Sequence, residues 1–423
     1  MASPRPPDLS TLNGLVHAAL RPRLVFGVLA LVLVFLTVAT PYRNSPAIRS
    51  DGNGYHAWTW FWLRGVSFCD AAGLAESQAL TYRSPDGTQC TNKYPPGVAL
   101  LRLPAMLPVV CLYDPTGPTP YEHFTVLALG ALLAFATWWL MWRSMLDLGV
   151  SADRAMQMTL FAGLGGLLLH YGTYDAGFSH IYSAFGFALL MFLGARVHTQ
   201  RMDFREAAPL LGMVAGWLLL VRSISVVPSA MCVGWLAWSQ GVFSVGRVRV
   251  LGRVLIPVVM AGVVQLVMGV WAAGTWVVDP YRGERFVWSE PHHLDILASM
   301  ERGILNYTPI ILVTLLAVVL TGGRAARFPS LILAPYWFLY GFWHSWHLGG
   351  GFGHRGFVDL MPPFFVTAAV ALKDVRPARW NLFAAAGSLA TLVTLVLMRG
   401  YWLNRIPHDG TTAQQYWSAL LPF

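Results

Sequence analysis

Apolar residues run in long unbroken stretches along this chain, each cut by a short cluster of Arg, Pro and Gly rather than by regularly alternating polar positions. Runs of roughly 18 to 22 such residues have the length an α-helix needs to cross about 30 Å of hydrocarbon. The pattern predicts helices at 24–40, 121–142, 155–170, 180–197, 207–221, 224–239, 254–274, 308–321, 330–344, 356–372 and 380–398. The expected fold is therefore an all-α polytopic membrane protein, a single membrane domain over residues 1–423 with about eleven transmembrane helices.

Two stretches between these runs are much longer than a turn, 41–121 and 275–308, and long ordered loops tend to carry function. The first holds an aromatic, amphipathic segment, Gly54–Arg64, expected to lie in the membrane interface with its tryptophans at headgroup level. A second apolar stretch, Gly97–Leu112, follows Pro95-Pro96. Counting it as a span would reverse the side of every later basic cluster, so it is read as interfacial or re-entrant.

Composition agrees with the pattern: 56% hydrophobic against 12% charged residues excludes an ordinary soluble domain. Charge then supplies orientation. Arg5, Arg21 and Arg23 precede the first run, and basic residues recur at 143–154, 196–205, 247–253, 324–327 and 373–379. Placed on the inside, they put the N-terminus in the cytoplasm and the C-terminus outside. Met1–Pro22 shows no small-residue cleavage site, so the first run is expected to be retained. The net charge of +9 is read as this orientation signal, with no nucleic-acid partner implied. Arg43, Arg49, Arg64, Arg83, Lys93, Arg102, Arg222, Arg282, Arg285, Arg302 and Arg355 run against the bias, in or beside the expected outer loops. The abundance of Arg over Lys, with many Ala, Gly and Trp, points to a high-GC bacterium, and the expected location is a bacterial inner (cytoplasmic) membrane.

Of the four cysteines, Cys69 and Cys90 share the first outer loop, where a disulfide is permitted. Two free thiols, or a bridge to Cys111, are the alternatives. Cys232 falls within a span and is expected to be buried. No Cys/His spacing suggests zinc, and no Gly-rich phosphate loop, GxSxG elbow or HExxH motif is present.

The polar residues that stand out gather in the outer loops. Asp51 precedes the interfacial segment and reads either as a reactive carboxylate or as a helix cap. Tyr55 and His56 follow it. Lys93-Tyr94 abuts the Pro95-Pro96 corner, and Lys93 reads as a functional cation or a solvated one. Asp175 and His180 lie at the junction of the third and fourth runs. Arg222 interrupts an apolar stretch, a costly place for a charge. His344, His347, His354 and Arg355 lie around the Gly349-Gly350-Gly351 run, and Arg355 has Asp359 four residues on as a simple ion-pair partner.

At these residues the chain resembles the GT-C superfamily of polytopic glycosyltransferases, which take a sugar from a polyprenyl-phosphate carrier. Lys93-Tyr94-Pro95-Pro96-Gly97 looks like the Lys-Pro segment of the aminoarabinose-transferase branch. Glu301-Arg302-Gly303-Ile304-Leu305 and Phe352-Gly353-His354-Arg355 are similar to two further bacterial segments. The resemblance implies Asp51 as catalytic base, with Lys93, Arg355, Arg222, Arg302 and His354 toward the donor phosphate. Tyr55, His56, Tyr94, Asp175, His180 and His347 would be substrate contacts. It implies a polyprenyl-phosphate sugar donor, a glycolipid or glycan acceptor and membrane lipids as partners, and no cofactor. Many members carry a second acid after the first; here Gly52 follows Asp51, so a divalent metal is not favoured. A different lipid-linked enzyme (ligase, polymerase or phosphate-group transferase) and a transporter or flippase are the competing readings. The absence of ionisable residues deep in several runs counts against transport.

The basic clusters make a direct prediction about topology. A reporter fused after Arg379 should read cytoplasmic and one after Arg399 extracytoplasmic, and the opposite result at either point would break the orientation.

Overall fold

The structure is a computed structural model that describes residues 9–39, 46–70, 81–83, 90–112, 114, 117–242, 249–273, 284–321 and 327–421. Arg5, Arg43, Arg247, Arg282 and Arg324, all used above, lie outside the described residues. Helices dominate: α1 (Leu9–Ala39), α2 (Asp51–Arg64), α3 (Gly97–Met106), α4 (Pro120–Asp147), α5 (Ala152–Leu160) and α6 (Leu168–Thr173). They continue with α7 (His180–His198), α8 (Phe204–Val221), α9 (Val226–Ser239), α10 (Arg249–Ala273), α11 (His293–Ala298) and α12 (Ile304–Tyr307). The last five are α13 (Pro309–Thr321), α14 (Arg327–Gly341), α15 (Met361–Leu372), α16 (Pro377–Trp402) and α17 (Ala413–Leu420). β1 (Thr81–Arg83) and β2 (Cys90–Asn92) form an antiparallel pair.

Among the described residues, seven segments are long and apolar enough to cross a membrane: 22–39, 120–147, 180–198, 204–221, 249–271, 355–372 and 377–402. The protein is membrane-embedded. Four of the eleven expected runs are not long helices. Ser223–Ser239 and Pro309–Thr321 are shorter apolar helices, and α14 has 15 residues with Pro335 inside it. The run at 155–170 is broken outright: α5 passes into a π turn at Phe161–Gly165, and Leu167 takes a left-handed φ of 69° before α6 begins.

α4, α7, α8 and α10 pack in that order, α15 lies against α7 and α14, and α16 covers α13. Burial ranks the helices from centre to edge. Of the apolar window that ends in α15, 83% is buried, whereas only 11% of the α10 window is. Leu255, Ile256, Val259, Met260 and Leu266 of α10 are exposed together, a continuous apolar face that only hydrocarbon would solvate.

At one end of the bundle α2 and α3 pack against each other, and α3 also contacts α4 and α8. While Trp62 of α2 is half-buried, the helix's other two tryptophans, Trp58 and Trp60, are buried. Their indole N–H groups find acceptors inside, Trp58 the carbonyl of Tyr94 at 2.7 Å and Trp60 the Glu122 carboxylate at 2.8 Å, the usual condition for burying that ring. Glu122 also closes a capping box with Thr119 at the start of α4. Cys232 is half-buried on α9 rather than buried.

Cys69 and Cys90 are bridged, with Cα atoms 5.3 Å apart and a sequence separation of 21, which excludes two free thiols. The bridge fixes β2 and hence Asn92, whose side chain donates to the Gly54 carbonyl at 2.6 Å and accepts from the Tyr94 amide at 3.0 Å. Replacing both cysteines by serine should lower stability by about 3 kcal/mol, measured by chemical unfolding in detergent. Peptide mapping without reductant should recover the Cys69–Cys90 peptide, and two unmodified thiols there would contradict the fold of this loop.

Candidate functional site

The chain reaches Asp51 through a strained step. Ser50 sits at φ 47°, a left-handed value for a residue with a side chain, and makes no side-chain capping bond. Such outliers concentrate where a site demands them. Asp51 is the first residue of α2 and does not cap it. Its carboxylate instead accepts from the Tyr94 hydroxyl at 3.0 Å and pairs with Arg355 at 2.9 Å. Tyr55, one turn along α2, places its ring 4.8 Å from that of Tyr94. Tyr94 is almost enclosed; burial first, and the nearby Asp51 charge second, raise its phenol well above the ordinary value. It therefore holds its proton and donates it to Asp51.

Arg355 comes from the opposite end of the sequence. Its guanidinium also donates to the carbonyls of Leu348 and Gly350 and lies over the ring of Phe178, 5.0 Å from the centroid. The carbonyls are presented by a loop in which Leu348, Gly349 and Gly353 all take left-handed φ values. The expected Arg355–Asp359 pair does not form. Residues 355–360 are a 3-10 helix, in which i and i+3 align and i+4 does not. Asp359 is instead buried against His180 at 2.9 Å and Arg222 at 3.3 Å, and Arg222 reaches the Tyr340 hydroxyl at 2.9 Å.

Beside this group stands a third ionic cluster. Asp175 is buried and binds Arg49 at 2.6 Å and His170 at 2.8 Å. Trp402 donates to Nδ1 of His170 at 2.9 Å, and an indole nitrogen can only donate. Nδ1 is thus the acceptor, and Nε2 carries the proton given to Asp175. Burial alone would raise the Asp175 carboxyl, but Arg49 and His170 outweigh it and hold it below the ordinary carboxylate range. Arg49 is correspondingly raised: burial opposes its charge, and Asp175 overcomes that.

Gly52 and Gly177 cross at close range. A Cβ on Gly52 would lie 3.4 Å from the Gly177 backbone, and one on Gly177 would collide with the Ala47 carbonyl. The Asp51 and Asp175 segments thus approach backbone to backbone there, and it is Gly177 that leaves no room for a side chain.

The remaining expected residues separate. Lys93 pairs with Glu284 at 2.5 Å and lies over the Tyr94 ring, so it joins the Asp51 group through Tyr94. His354 is buried, donates from Nε2 to the Trp346 carbonyl at 2.9 Å, since a carbonyl only accepts, and packs on Tyr340 and Phe357. Burial pushes its imidazole down to about 3, which leaves it neutral, not a cation for a phosphate. His56 is fully buried and bonds Glu122 at 3.1 Å in the core, not Asp51. Arg302 is buried and donates to the carbonyls of Glu301 and His408. His347 is half-buried at the loop that carries Leu348.

Sequence reasoning missed Asp359 as the partner of His180 and Arg222, Glu284 as the partner of Lys93, His170, and the return of the 403–411 segment toward the site. Arg49 had been flagged only for its position against the charge bias. Arg102 was flagged likewise: it is fully buried on α3 and donates to the Tyr182 hydroxyl at 2.8 Å and the Gly177 carbonyl at 2.7 Å. An apolar cavity of about 370 Å³ lies among α7, α8, α9, α14 and α15, lined by Leu190, Met231, Trp235, Leu236 and Val366; none of the charged residues above line it. No family model matches the chain, and no curated protein or solved structure does.

The contrast between the two acids is testable. Asp175→Asn strands Arg49 beside a buried amide and should cost about 3–5 kcal/mol, whereas Asp51→Asn, at a more open position, should cost much less. Because the Asp175 carboxyl is depressed, its contribution is present above the unfolded value of 3.8 and is lost as pH falls through the lower folded value. Thermal unfolding of both variants and of wild type from neutral pH to well below the unfolded value of 3.8 checks this; equal destabilisation by the two substitutions would refute the distinction.

Proposed function

We propose that this protein is an inverting glycosyltransferase that moves a sugar from a polyprenyl-monophosphate donor to a lipid-linked or cell-envelope glycan acceptor, at the extracytoplasmic face of the cytoplasmic membrane. The observation that carries the reading is the Asp51 carboxylate, held between the Tyr94 hydroxyl and Arg355 at one end of a membrane-embedded bundle. A carboxylate beside a guanidinium supplies both groups that sugar transfer from a phosphate requires, a base for the acceptor and a cation for the leaving group.

Asp51 accepts the proton of the acceptor hydroxyl as its oxygen attacks the anomeric carbon, which is general-base catalysis by a positioned carboxylate. The bond from that carbon to the phosphate oxygen breaks, and its electron pair leaves with the lipid phosphate. Single displacement inverts the configuration. The leaving phosphate gains negative charge and needs cations fixed in advance. Arg355 is the best placed, because it already holds an anion, Asp51, and its fork suits a phosphate equally well. Donor binding then exchanges one anion for another on Arg355 and releases Asp51 toward the acceptor. Lys93 and Arg222 stand behind it, each with its own carboxylate. Arg302 is tied to backbone carbonyls and is assigned to holding the loop rather than to the phosphate. The apolar cavity among α7, α8 and α9 suits an isoprenoid chain and not a charged group.

Asp51→Asn keeps the size of the side chain and an acceptor for Tyr94 but takes no proton at neutral pH. Sugar transfer from a polyprenyl-phosphate donor by the purified protein should fall by a factor of about 100 or more, with donor binding retained. Arg355→Ala should weaken binding and turnover together, because a phosphate contact acts in both ground and transition states. Near-normal turnover by Asp51→Asn at equal stability would remove Asp51 from the mechanism.

A further inference from the structure

Three stretches far apart in sequence bring a carboxylate, an imidazole and a second carboxylate together: Glu301, His347 and Asp409. Their donor atoms all lie within 4.8 Å of one another, and Nδ1 of His347 is 3.9 Å from the Asp409 carboxylate. No two of the three are neighbours in sequence, so no spacing motif announces them. They stand outside the Asp51 group and play no part in the proton transfer described above.

We propose that Glu301, His347 and Asp409 form a binding site for one divalent transition-metal ion, of which Zn²⁺ is the best fit. The donor set carries the choice. Two carboxylate oxygens and one imidazole nitrogen form a three-ligand set that zinc accepts with a fourth position left to water. Calcium and magnesium prefer oxygen alone and more ligands. Tetrahedral donors at bond lengths of about 2.1 Å stand about 3.4 Å apart, so the three groups close by roughly 1 Å on loading. His347 and Asp409 have that freedom, with side chains 27% and 62% exposed.

The Gly349 amide donates to Nδ1 of His347 at 3.2 Å, so that nitrogen carries a lone pair and not a proton, and a metal that takes the lone pair displaces this bond as the groups close. Glu301 is oriented by the Gly410 amide at 3.2 Å, and Gly410 follows Asp409 directly. Arg302, 3.9 Å from Asp409, opposes a cation by its charge; two carboxylates against one guanidinium still leave the cluster with a net negative charge to be met.

Each ligand adjoins a group that supports Arg355 or the loop around it. Glu301 precedes Arg302. His347 precedes Leu348, whose carbonyl receives Arg355. Asp409 follows His408, whose carbonyl receives both Arg302 and the Gly351 amide. An ion here joins three loops at the rim of the site and stiffens the seat of Arg355 without touching the reacting atoms.

The test reads metal directly, so its outcome stands apart from whether sugar transfer is observed. Purified full-length protein in detergent is stripped with chelator, loaded with Zn²⁺, desalted and assayed for bound metal, and its thermal unfolding is recorded with and without Zn²⁺. The expectation is roughly one Zn²⁺ retained per chain with a higher unfolding temperature, and an affinity lowered at least about tenfold by His347→Ala and by Glu301→Gln. Asp409→Asn, at an exposed position, supplies a variant whose stripped form unfolds like wild type. The proposal is overturned if stripped wild type retains no Zn²⁺, if the variants retain as much as wild type, or if Ca²⁺ raises the unfolding temperature as far as Zn²⁺ does.

Discussion

A charge inside a bundle solvated by hydrocarbon survives only beside an opposite charge or hydrogen-bond acceptors that satisfy it, and the polar end of this protein is arranged around that constraint. Arg49 meets Asp175, Arg355 meets Asp51, Arg222 meets Asp359 and Lys93 meets Glu284. Each pair joins stretches that are far apart in the chain. The neutralisation of charge and the positioning of α2, the 348–354 loop and the start of α15 are therefore one event. Removing one member of a buried pair leaves the other uncompensated. In the resting arrangement each of these four cations already has its anion, so under the proposed function a phosphate donor would enter by exchange, with the electrostatic balance kept.

Much of this architecture can be read from hydropathy, because a membrane-crossing helix must be long and apolar over its whole length. α4, α7, α8, α10 and α16 coincide with expected runs for that reason. The run at 155–170 has the same composition but is broken at Phe161–Leu167, and nothing in a hydropathy window separates a continuous helix from an interrupted one. Trp58 and Trp60 show the same limit at finer scale. Their composition suggests an interface, while the Tyr94 carbonyl and Glu122 that accept their N–H groups are distant in sequence.

The site was legible to the extent that single residues announced themselves. Asp51, Lys93, Tyr94, Asp175, His180, Arg222 and Arg355 were singled out by type and position, and they are found in ionic or hydrogen-bonded clusters. Their partners were not legible, because pairing depends on three-dimensional crossing. Arg355 shows why local rules fail here. An i,i+4 ion pair presumes an α-helix, and the 3-10 geometry of 355–360 turns Asp359 toward His180 and Arg222.

The π turn at Phe161–Gly165 has a consequence for the phase of the chain beyond it. A π turn accommodates one residue more than an α turn, and one residue is about 100° of rotation about a helix axis. His170, five residues further on, meets Asp175 on one side of its ring and Trp402 on the other. The π turn and the left-handed Leu167 together set the direction from which that imidazole emerges, and a chain one residue shorter here would draw it away from both partners. The widened turn acts as a gear that sets the angular position of the whole Asp175 cluster, so the spacing of this stretch is constrained more tightly than its apolar composition.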